Sequence, residues 1–243
     1  MAFADGVLWE STGINGESTI RTLDKVTGEV IESYPLANRF FGEGLTLHDG
    51  KAIQLTYKRK VGLIWDMYDL GKDPETFRFD STTGEGWGLT FDTVKEEFIM
   101  SDGSEFLHFW DPTTFEQLRR VKVKRQNSKK GNNINELEFW HGRVLANVWY
   151  EDTILVINAE SGVVEKEYGA SCYTRSMRDQ NCCFGDAVST FIFFPKCLDF
   201  SSLYPSAQRQ KDGADVLNGI SASDDPSMIY VTGKNWDRMF LVT

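Results

Sequence analysis

The chain has 243 residues, of which 41% are hydrophobic and 26% charged, enough for one domain with a sizeable core. Its formal net charge of −10 argues against a nucleic-acid partner, because phosphate backbones are bound by basic surfaces. No apolar run approaches the roughly 18 residues of a membrane span, so we expect no membrane partner either.

The first predicted elements are short strands joined by tight turns. Asp5-Gly6 is predicted to be a turn, and the strand that follows it closes at Glu10–Gly13. Thr19–Val30 is predicted to form a hairpin about Lys25–Gly28. Met1 leads straight into the first strand and turn, so the sequence predicts no signal peptide here.

A repeated pattern then runs through the chain. Each copy has a polar or aromatic residue, a small or acidic one, an aliphatic, a turn, and an apolar strand that ends in polar residues. The copies are Glu43–Tyr57, Trp87–Asp102, Asn135–Trp149 and Asn218–Lys234. Aligned on Leu45, Leu89, Leu137 and Ile220, they are spaced by 44, 48 and 83 residues. The first two spacings are typical of propeller blades, which are built from about 40–50 residues in four short strands.

The third copy is the clearest hairpin. Leu137 alternates with acidic neighbours, His141-Gly142 turns the chain, and residues 144–148 return as a buried strand. The turn brings the start of the first strand beside the end of the second. Asn135 and Glu136 are therefore expected to meet Trp149 at one rim, where polar groups and an indole favour a ligand site.

The pattern predicts an all-β protein, a five-bladed β-propeller in one domain over residues 1–243. The four aligned aliphatic residues are expected on the innermost strands of their blades. A partial fifth copy at the start begins at its turn, so we expect the first blade to be incomplete and to lack its inner strand.

These motifs also carry a family resemblance. The chain resembles the plant and bacterial glutaminyl-peptide cyclotransferases, five-bladed β-propellers that are also called glutamine cyclotransferases. The motifs are E-S-T-G (10–13), F-G-E-G-L (41–45), Q-L-T-Y (54–57), G-E-G-W-G-L (84–89), S-D-G-S (101–104), N-E-L-E (135–138), A-N-V-W (146–149), D-V-L-N-G-I (215–220) and V-T-G-K-N-W (231–236).

The resemblance implies an enzyme that cyclises the N-terminal glutaminyl residue of a peptide or protein to pyroglutamate and releases ammonia. It implies no cofactor and no metal, and we expect a monomer. In the family an F-T-Q-G-L-like strand precedes the point where this chain begins. If such a segment is missing, the resemblance implies a secretory or extracellular location; this chain by itself leaves the location open.

The cyclisation needs a proton acceptor, hydrogen-bond donors for an oxyanion and a wall that excludes water. Glu43 is our candidate for the group that transfers the proton. Lys234 and Asn135 are the candidate hydrogen-bond donors to the oxyanion. The candidate substrate-binding residues are Trp87, Trp149, Tyr57, Asn218 and Glu136. The last two are equally consistent with hydrogen bonds between blades. Where the family usually has Trp, this chain has Tyr57.

Two alternatives stay open on the sequence. A non-catalytic propeller that binds peptides or glycans would use the same aromatic rim, but it would not need both Glu43 and Lys234. A metal-dependent propeller hydrolase could draw ligands from Glu43, Asn135 and Asn218. No H-x-x-x-H or Cys/His cluster supports a familiar zinc site.

One segment does not fit the repeat. Residues 169–197 contain all four cysteines of the chain, and removing them restores the last spacing to a blade-like length. We expect a non-family insertion, either a translated intron or a surface loop that could be disulfide-linked if the protein is secreted.

Overall fold

The computed structural model describes residues 1–126, 131–169 and 200–243. They form five small antiparallel sheets that make a five-bladed β-propeller, as the repeat predicted. Blade 1 consists of β1 (Ala2–Ala4), β2 (Val7–Ser11), β3 (Thr19–Asp24) and β4 (Val30–Pro35). Blade 2 consists of β5 (Gly42–His48), β6 (Lys51–Thr56), β7 (Val61–Asp66) and β8 (Glu75–Arg78).

Blade 3 is built from β9 (Leu89–Asp92), β10 (Glu97–Ser101), β11 (Phe106–Trp110) and β12 (Gln117–Lys122). Blade 4 is built from β13 (Ile134–Trp140), β14 (Arg143–Val148), β15 (Thr153–Ile157) and β16 (Val164–Gly169). Two short helices, α1 (Phe200–Leu203) and α2 (Ser206–Asp212), precede blade 5. That blade has three strands among the described residues, β17 (Leu217–Ala222), β18 (Ile229–Gly233) and β19 (Phe240–Val242).

The first strand of each blade lies at the centre of the ring. β5 packs against β9, β9 against β13 and β13 against β17, and β1 closes the ring by contacting both β17 and β5. Leu45, Leu89, Leu137 and Ile220 all lie on these inner strands and are at most 1% exposed. The repeat alignment is therefore confirmed.

The expectation of a missing inner strand in blade 1 is wrong. Ala2–Ala4 forms that strand and pairs with β2 through Ala2–Trp9, Phe3–Leu8 and Ala4–Val7. It is only three residues long, whereas the inner strands of blades 2 and 4 have seven. So short a strand shows no alternation that a sequence pattern could reveal.

The hydrophobic core lies in layers between neighbouring blades. Four of these layers hold seven or more buried side chains each, whereas the layer between blades 5 and 1 holds Met1, Leu8, Leu23 and Tyr230. Burying a large apolar side chain contributes about 1.5–3 kcal/mol. The contact between blades 5 and 1 is thus the least apolar of the ring.

The tight turns occur where the sequence predicted them. His141 and Gly142 both have positive φ, 48° and 74°, as a two-residue hairpin turn with the twist of its strands requires. Asp5-Gly6 and Asp49-Gly50 adopt the same conformation in blades 1 and 2. The two helices were not predicted, and no helix among the described residues is long and apolar enough to cross a membrane.

The predicted insertion at residues 169–197 lies outside the described residues except for Gly169, which ends β16. All four cysteines lie outside them as well. The interpretation of this segment stays a prediction.

Candidate active site

Four of the predicted site residues lie at β-bulges of the inner strands. The register with the second strand shifts between Gly42 and Leu45, between Ile134 and Leu137, and between Leu217 and Ile220. The residues inside these shifts include Glu43, Asn135, Glu136 and Asn218. A bulge inserts one extra residue and turns a side chain out of the regular alternation, and bulges are frequent beside active sites.

A cavity of about 580 Å³ opens at the centre of the ring, mainly between blades 1, 2 and 5. Of the predicted residues, Glu43, Glu136, Asn218 and Lys234 line it. Phe41 and Gly44 of blade 2 and Thr232 and Trp236 of blade 5 also line it. The structure therefore brings together a carboxylic acid, a cation and an amide that are far apart in the sequence.

Glu43 has a strongly perturbed carboxyl group in the cavity. Burial raises its pKa to about 8, the charge of Lys234 opposes this rise, and the nearby Glu136 and Glu85 add to it. The residue is half-buried, because its carboxyl group is surrounded by protein but still reaches the cavity. A carboxyl group with this pKa can take up and return a proton near neutral pH.

Glu136 lies deeper and is 5% exposed. Its carboxylate accepts a hydrogen bond from the amino group of Met1, which also lines the cavity. Burial raises the pKa of Glu136, while the positive charges of that amino group and of Lys234 lower it. Glu136 thus adds negative charge beside Glu43 and is already engaged by a partner.

Lys234 connects the cavity to the predicted aromatic residues. Its ammonium lies 6.0 Å from the centre of the Trp149 ring, which in turn meets Trp87 edge-on at 5.4 Å. The Trp87 indole donates a 2.9 Å hydrogen bond to Glu85. Tyr57 lies further round the rim, 5.8 Å from the ring of Phe41 and beneath the ammonium of Lys58.

The positive charge of Lys234 is also relevant to the alternative that the protein is a metal-dependent propeller hydrolase. Lys234 acts electrostatically on both Glu43 and Glu136, so a second cation at these carboxylates would be repelled. Within the described ranges, no group of three or more His, Cys, Asp and Glu side chains is placed to hold a metal ion.

Asn135 is buried between blades 3 and 4, and its backbone contacts blade 3. It is 3% exposed, and its carbonyl accepts a 2.6 Å hydrogen bond from Ser101, whose hydroxyl also accepts the N–H of Gly88. Its side chain is not part of the cavity wall. Ser101, the last residue of β10, thereby joins Gly88 of blade 3 to β13 of blade 4.

The glycines around Trp87 and Glu43 allow neighbouring inner strands to approach closely. Gly44 donates a 2.5 Å hydrogen bond to the Trp87 carbonyl. A Cβ atom on Gly88 would lie 2.1 Å from the Asn135 carbonyl oxygen. These glycines let the backbone of one inner strand pack directly on the backbone of the next.

Replacing Gly88 by alanine is therefore expected to destabilise the protein by about 2–4 kcal/mol, since overpacking against backbone cannot be relieved by a rotamer change. Thermal unfolding of the purified variant measures this effect. Gly142→Ala would not serve as a control, because Gly142 has a positive φ and alanine would be strained there. Leu118→Ala, at an exposed leucine of β12, is the better one and should change Tm little. An equally stable Gly88→Ala variant would contradict the close approach.

Asn218 lines the cavity and carries an unsatisfied hydrogen-bond acceptor. Its side-chain oxygen is buried and has no hydrogen-bond partner, and the same is true of the side-chain nitrogen of Asn147. The Asn147 oxygen accepts a 2.9 Å hydrogen bond from the N–H of Gly219, which fixes the bulge that carries Asn218. A buried polar atom without a partner is costly and often marks a ligand position.

Sequence reasoning missed a buried pair, Asp102 and His108, whose side chains are 0% and 1% exposed and 3.3 Å apart. Burial acts to raise the pKa of Asp102, but hydrogen bonds from His108, Ser104 and the Thr83 N–H bring it well below its usual range. The carboxylate thereby holds the loop that leads to Glu85 and Trp87. The S-D-G-S motif signalled the aspartate but not its histidine partner.

With Glu43 and Asn218 at inner-strand bulges and Lys234 directly after β18, the five blades place an acid, an amide and a lysine around one cavity, as expected of a propeller enzyme. The chain belongs to the glutamine cyclotransferase family, whose model matches residues 1–183 and 195–243. The glutaminyl-peptide cyclotransferase of Arabidopsis thaliana is 30% identical over 248 residues, which cover 99% of this chain and 67% of that protein. The crystal structure of Myxococcus xanthus glutaminyl cyclase superposes with a TM-score of 0.72 at 29% identity, covering 100% of this chain and 88% of that one.

Proposed function

We propose that this protein converts the N-terminal glutaminyl residue of a peptide to pyroglutamate and releases ammonia. The observation that carries the proposal is the cavity in which Glu43, with a pKa of about 8, faces the ammonium of Lys234. Membership of the glutamine cyclotransferase family supports the same reaction. The roles of individual side chains below are part of the proposal.

The reaction takes place within one substrate residue. The α-amine nitrogen attacks the γ-carboxamide carbon, a new N–C bond closes the five-membered ring, and the bond to the amide nitrogen breaks. The attacking amine loses a proton and the departing nitrogen gains one, so no external reactant is consumed. Because both reacting groups are in one residue, catalysis consists of holding the side chain folded back and transferring the proton.

We assign the proton transfer to Glu43. As a carboxylate it accepts the proton from the attacking amine, and as a carboxylic acid it returns the proton to the departing nitrogen. A pKa of about 8 keeps both forms populated near neutral pH, which suits a group that must do both.

Lys234 is the group we assign to the oxyanion that forms on the carboxamide carbon. Its ammonium acts electrostatically on Glu43 and Glu136 and lies 6.0 Å from the centre of the Trp149 ring, so a positive charge is in place before substrate binds. Asn135 is kept as a second candidate donor, although its side chain is not part of the cavity wall.

Asn218 and the two tryptophans are assigned to substrate binding. The unsatisfied Asn218 oxygen can accept a hydrogen bond from the carboxamide NH₂ and so orient the carbonyl toward Lys234. Trp87 and Trp149, which meet edge-on beside Lys234, are assigned to the apolar wall around the bound substrate. Tyr57, on the Phe41 side, completes the rim in this proposal, and Glu136 contributes charge rather than a substrate contact.

The test is mass spectrometry of the peptide Gln-Gly-Ala incubated with purified protein. We expect the peptide to lose one ammonia, and N-acetyl-Gln-Gly-Ala to stay intact because its amine cannot attack. Conversion of neither peptide, or of both, would contradict the proposal. The expected monomeric state stays a prediction, which sedimentation analysis would test.

A further inference from the structure

Tyr150 is an exposed aromatic residue beside the proposed site. The residue is 70% exposed, and its ring stacks on Trp149 with the ring centres 4.3 Å apart and the planes inclined by 26°. Stacking occupies one face of the Tyr150 ring. A residue that served only to cover Trp149 would itself be expected to be more buried.

The backbone of Tyr150 is strained. Its φ is +67°, a conformation that costs a bulky side chain of order 1–3 kcal/mol and that is unusual outside glycine, asparagine and aspartate. Such strain persists only where the surroundings hold it in place, and it concentrates at ligand-binding sites.

The surroundings of Tyr150 supply that constraint. On its C-terminal side Glu151 receives two hydrogen bonds, of 2.9 and 2.8 Å, from Arg125, whose side chain is 2% exposed. The next residue, Asp152, receives two from Arg209 of α2, of 2.8 and 2.5 Å. On the other side the Trp149 N–H donates to the Asn133 carbonyl at 2.8 Å.

The Tyr150 ring also lies close to Lys234, one of the proposed catalytic groups. The Trp149 ring is 6.0 Å from the Lys234 ammonium and 4.3 Å from the Tyr150 ring, which places the Tyr150 ring within about 10 Å of Lys234. One extended residue spans about 3.3–3.6 Å, and its side chain adds to that reach. The residue after glutamine can therefore contact Tyr150 while the carboxamide faces Lys234.

We propose that Tyr150 forms a second subsite, which binds the side chain of the residue that follows the substrate glutamine and favours an aromatic one. This rests on the proposed cyclisation and adds a preference to it. An aromatic pair contributes about 0.5–1.5 kcal/mol, which corresponds to a roughly 2- to 12-fold preference. Because the contact is present in the bound substrate as well as in the transition state, it should act mainly on KM.

The experiment compares kcat/KM for Gln-Phe-Ala and Gln-Gly-Ala. Tyr150→Asn removes the ring while keeping a residue that tolerates positive φ, and Tyr150→Phe keeps the ring. Tyr68→Asn is the matched control, since Tyr68 is 84% exposed and lies in the loop between β7 and β8 of blade 2.

We expect the wild type, Tyr150→Phe and Tyr68→Asn to prefer Gln-Phe-Ala by about 2- to 12-fold, mainly through KM. In Tyr150→Asn the ratio of kcat/KM for Gln-Phe-Ala to that for Gln-Gly-Ala should fall close to one. A wild type that cyclises both peptides equally well, or a ratio that survives in Tyr150→Asn, would overturn the subsite alone. A wild type that cyclises neither peptide would overturn the proposed function and the subsite with it.

Discussion

Replacing Glu43 by glutamine is expected to lower kcat for Gln-Gly-Ala by about 10²–10⁴-fold, the contribution typical of general acid–base catalysis. Glutamine keeps the shape of the side chain but can neither accept nor return the proton. The measurement is ammonia release under saturating peptide, with Glu29→Gln, at an exposed hairpin residue, as the control that should retain full turnover. A loss smaller than about tenfold would assign the proton to another group.

The same variant should be more stable than the wild type at alkaline pH. The folded-state pKa of Glu43 is raised from 4.5 to about 8, so the folded protein binds this proton more tightly than the unfolded chain. The stabilisation is fully present below pH 4.5 and is lost as the pH rises through 8. Glu43→Gln avoids that loss, and we expect its Tm to exceed the wild-type Tm at pH 9 by at least roughly 2–4 °C, equivalent to about 1 kcal/mol, with no difference near pH 4. A variant that folds less well at pH 9 would show that its low activity reflects damage.

Replacing Lys234 by methionine is expected to lower kcat/KM by about 10²–10³-fold, which is the usual cost of removing one donor to an oxyanion. Methionine fills a similar volume without the charge. Lys72→Met, at an exposed lysine of the loop after β7, is the control and should leave the rate unchanged.

The pH profile of Lys234→Met gives a second readout with a definite sign. The positive charge of Lys234 lowers the pKa of Glu43, so its removal should raise that pKa further above 8. The rising limb of kcat/KM against pH should move to higher pH in this variant and stay in place in Lys72→Met. A limb that moves to lower pH would mean that the two groups do not interact as the structure indicates.

Much of the fold could be predicted from the sequence because each blade repeats one pattern of buried strand residues and turns. Leu45, Leu89, Leu137 and Ile220 occupy equivalent places on the inner strands. In blades 2, 4 and 5 a polar residue also precedes the aliphatic one, and the bulge explains why. There the break in the alternation places Glu43, Glu136 and Asn218 at the cavity.

The supporting contacts could not be predicted in this way. Arg125 and Glu151 are 26 residues apart, and Arg209 and Asp152 are 57 apart, so no local pattern joins them. Asp102 and His108 lie on one hairpin, but only the fold shows that both are buried. The positive φ of Tyr150 likewise depends on partners from other blades, since a tyrosine has no local preference for that conformation.

The most direct test of the assignment of Glu43 and Lys234 is a crystal structure of the Glu43→Gln variant with Gln-Gly-Ala bound, because the variant should hold the substrate without converting it. We predict that the α-amine of the peptide lies within hydrogen-bond distance of the side chain at position 43, about 2.6–3.2 Å. The carboxamide oxygen should lie at a similar distance from the Lys234 ammonium. A peptide bound outside the central cavity, or one whose carboxamide faces away from Lys234, would contradict the assignment.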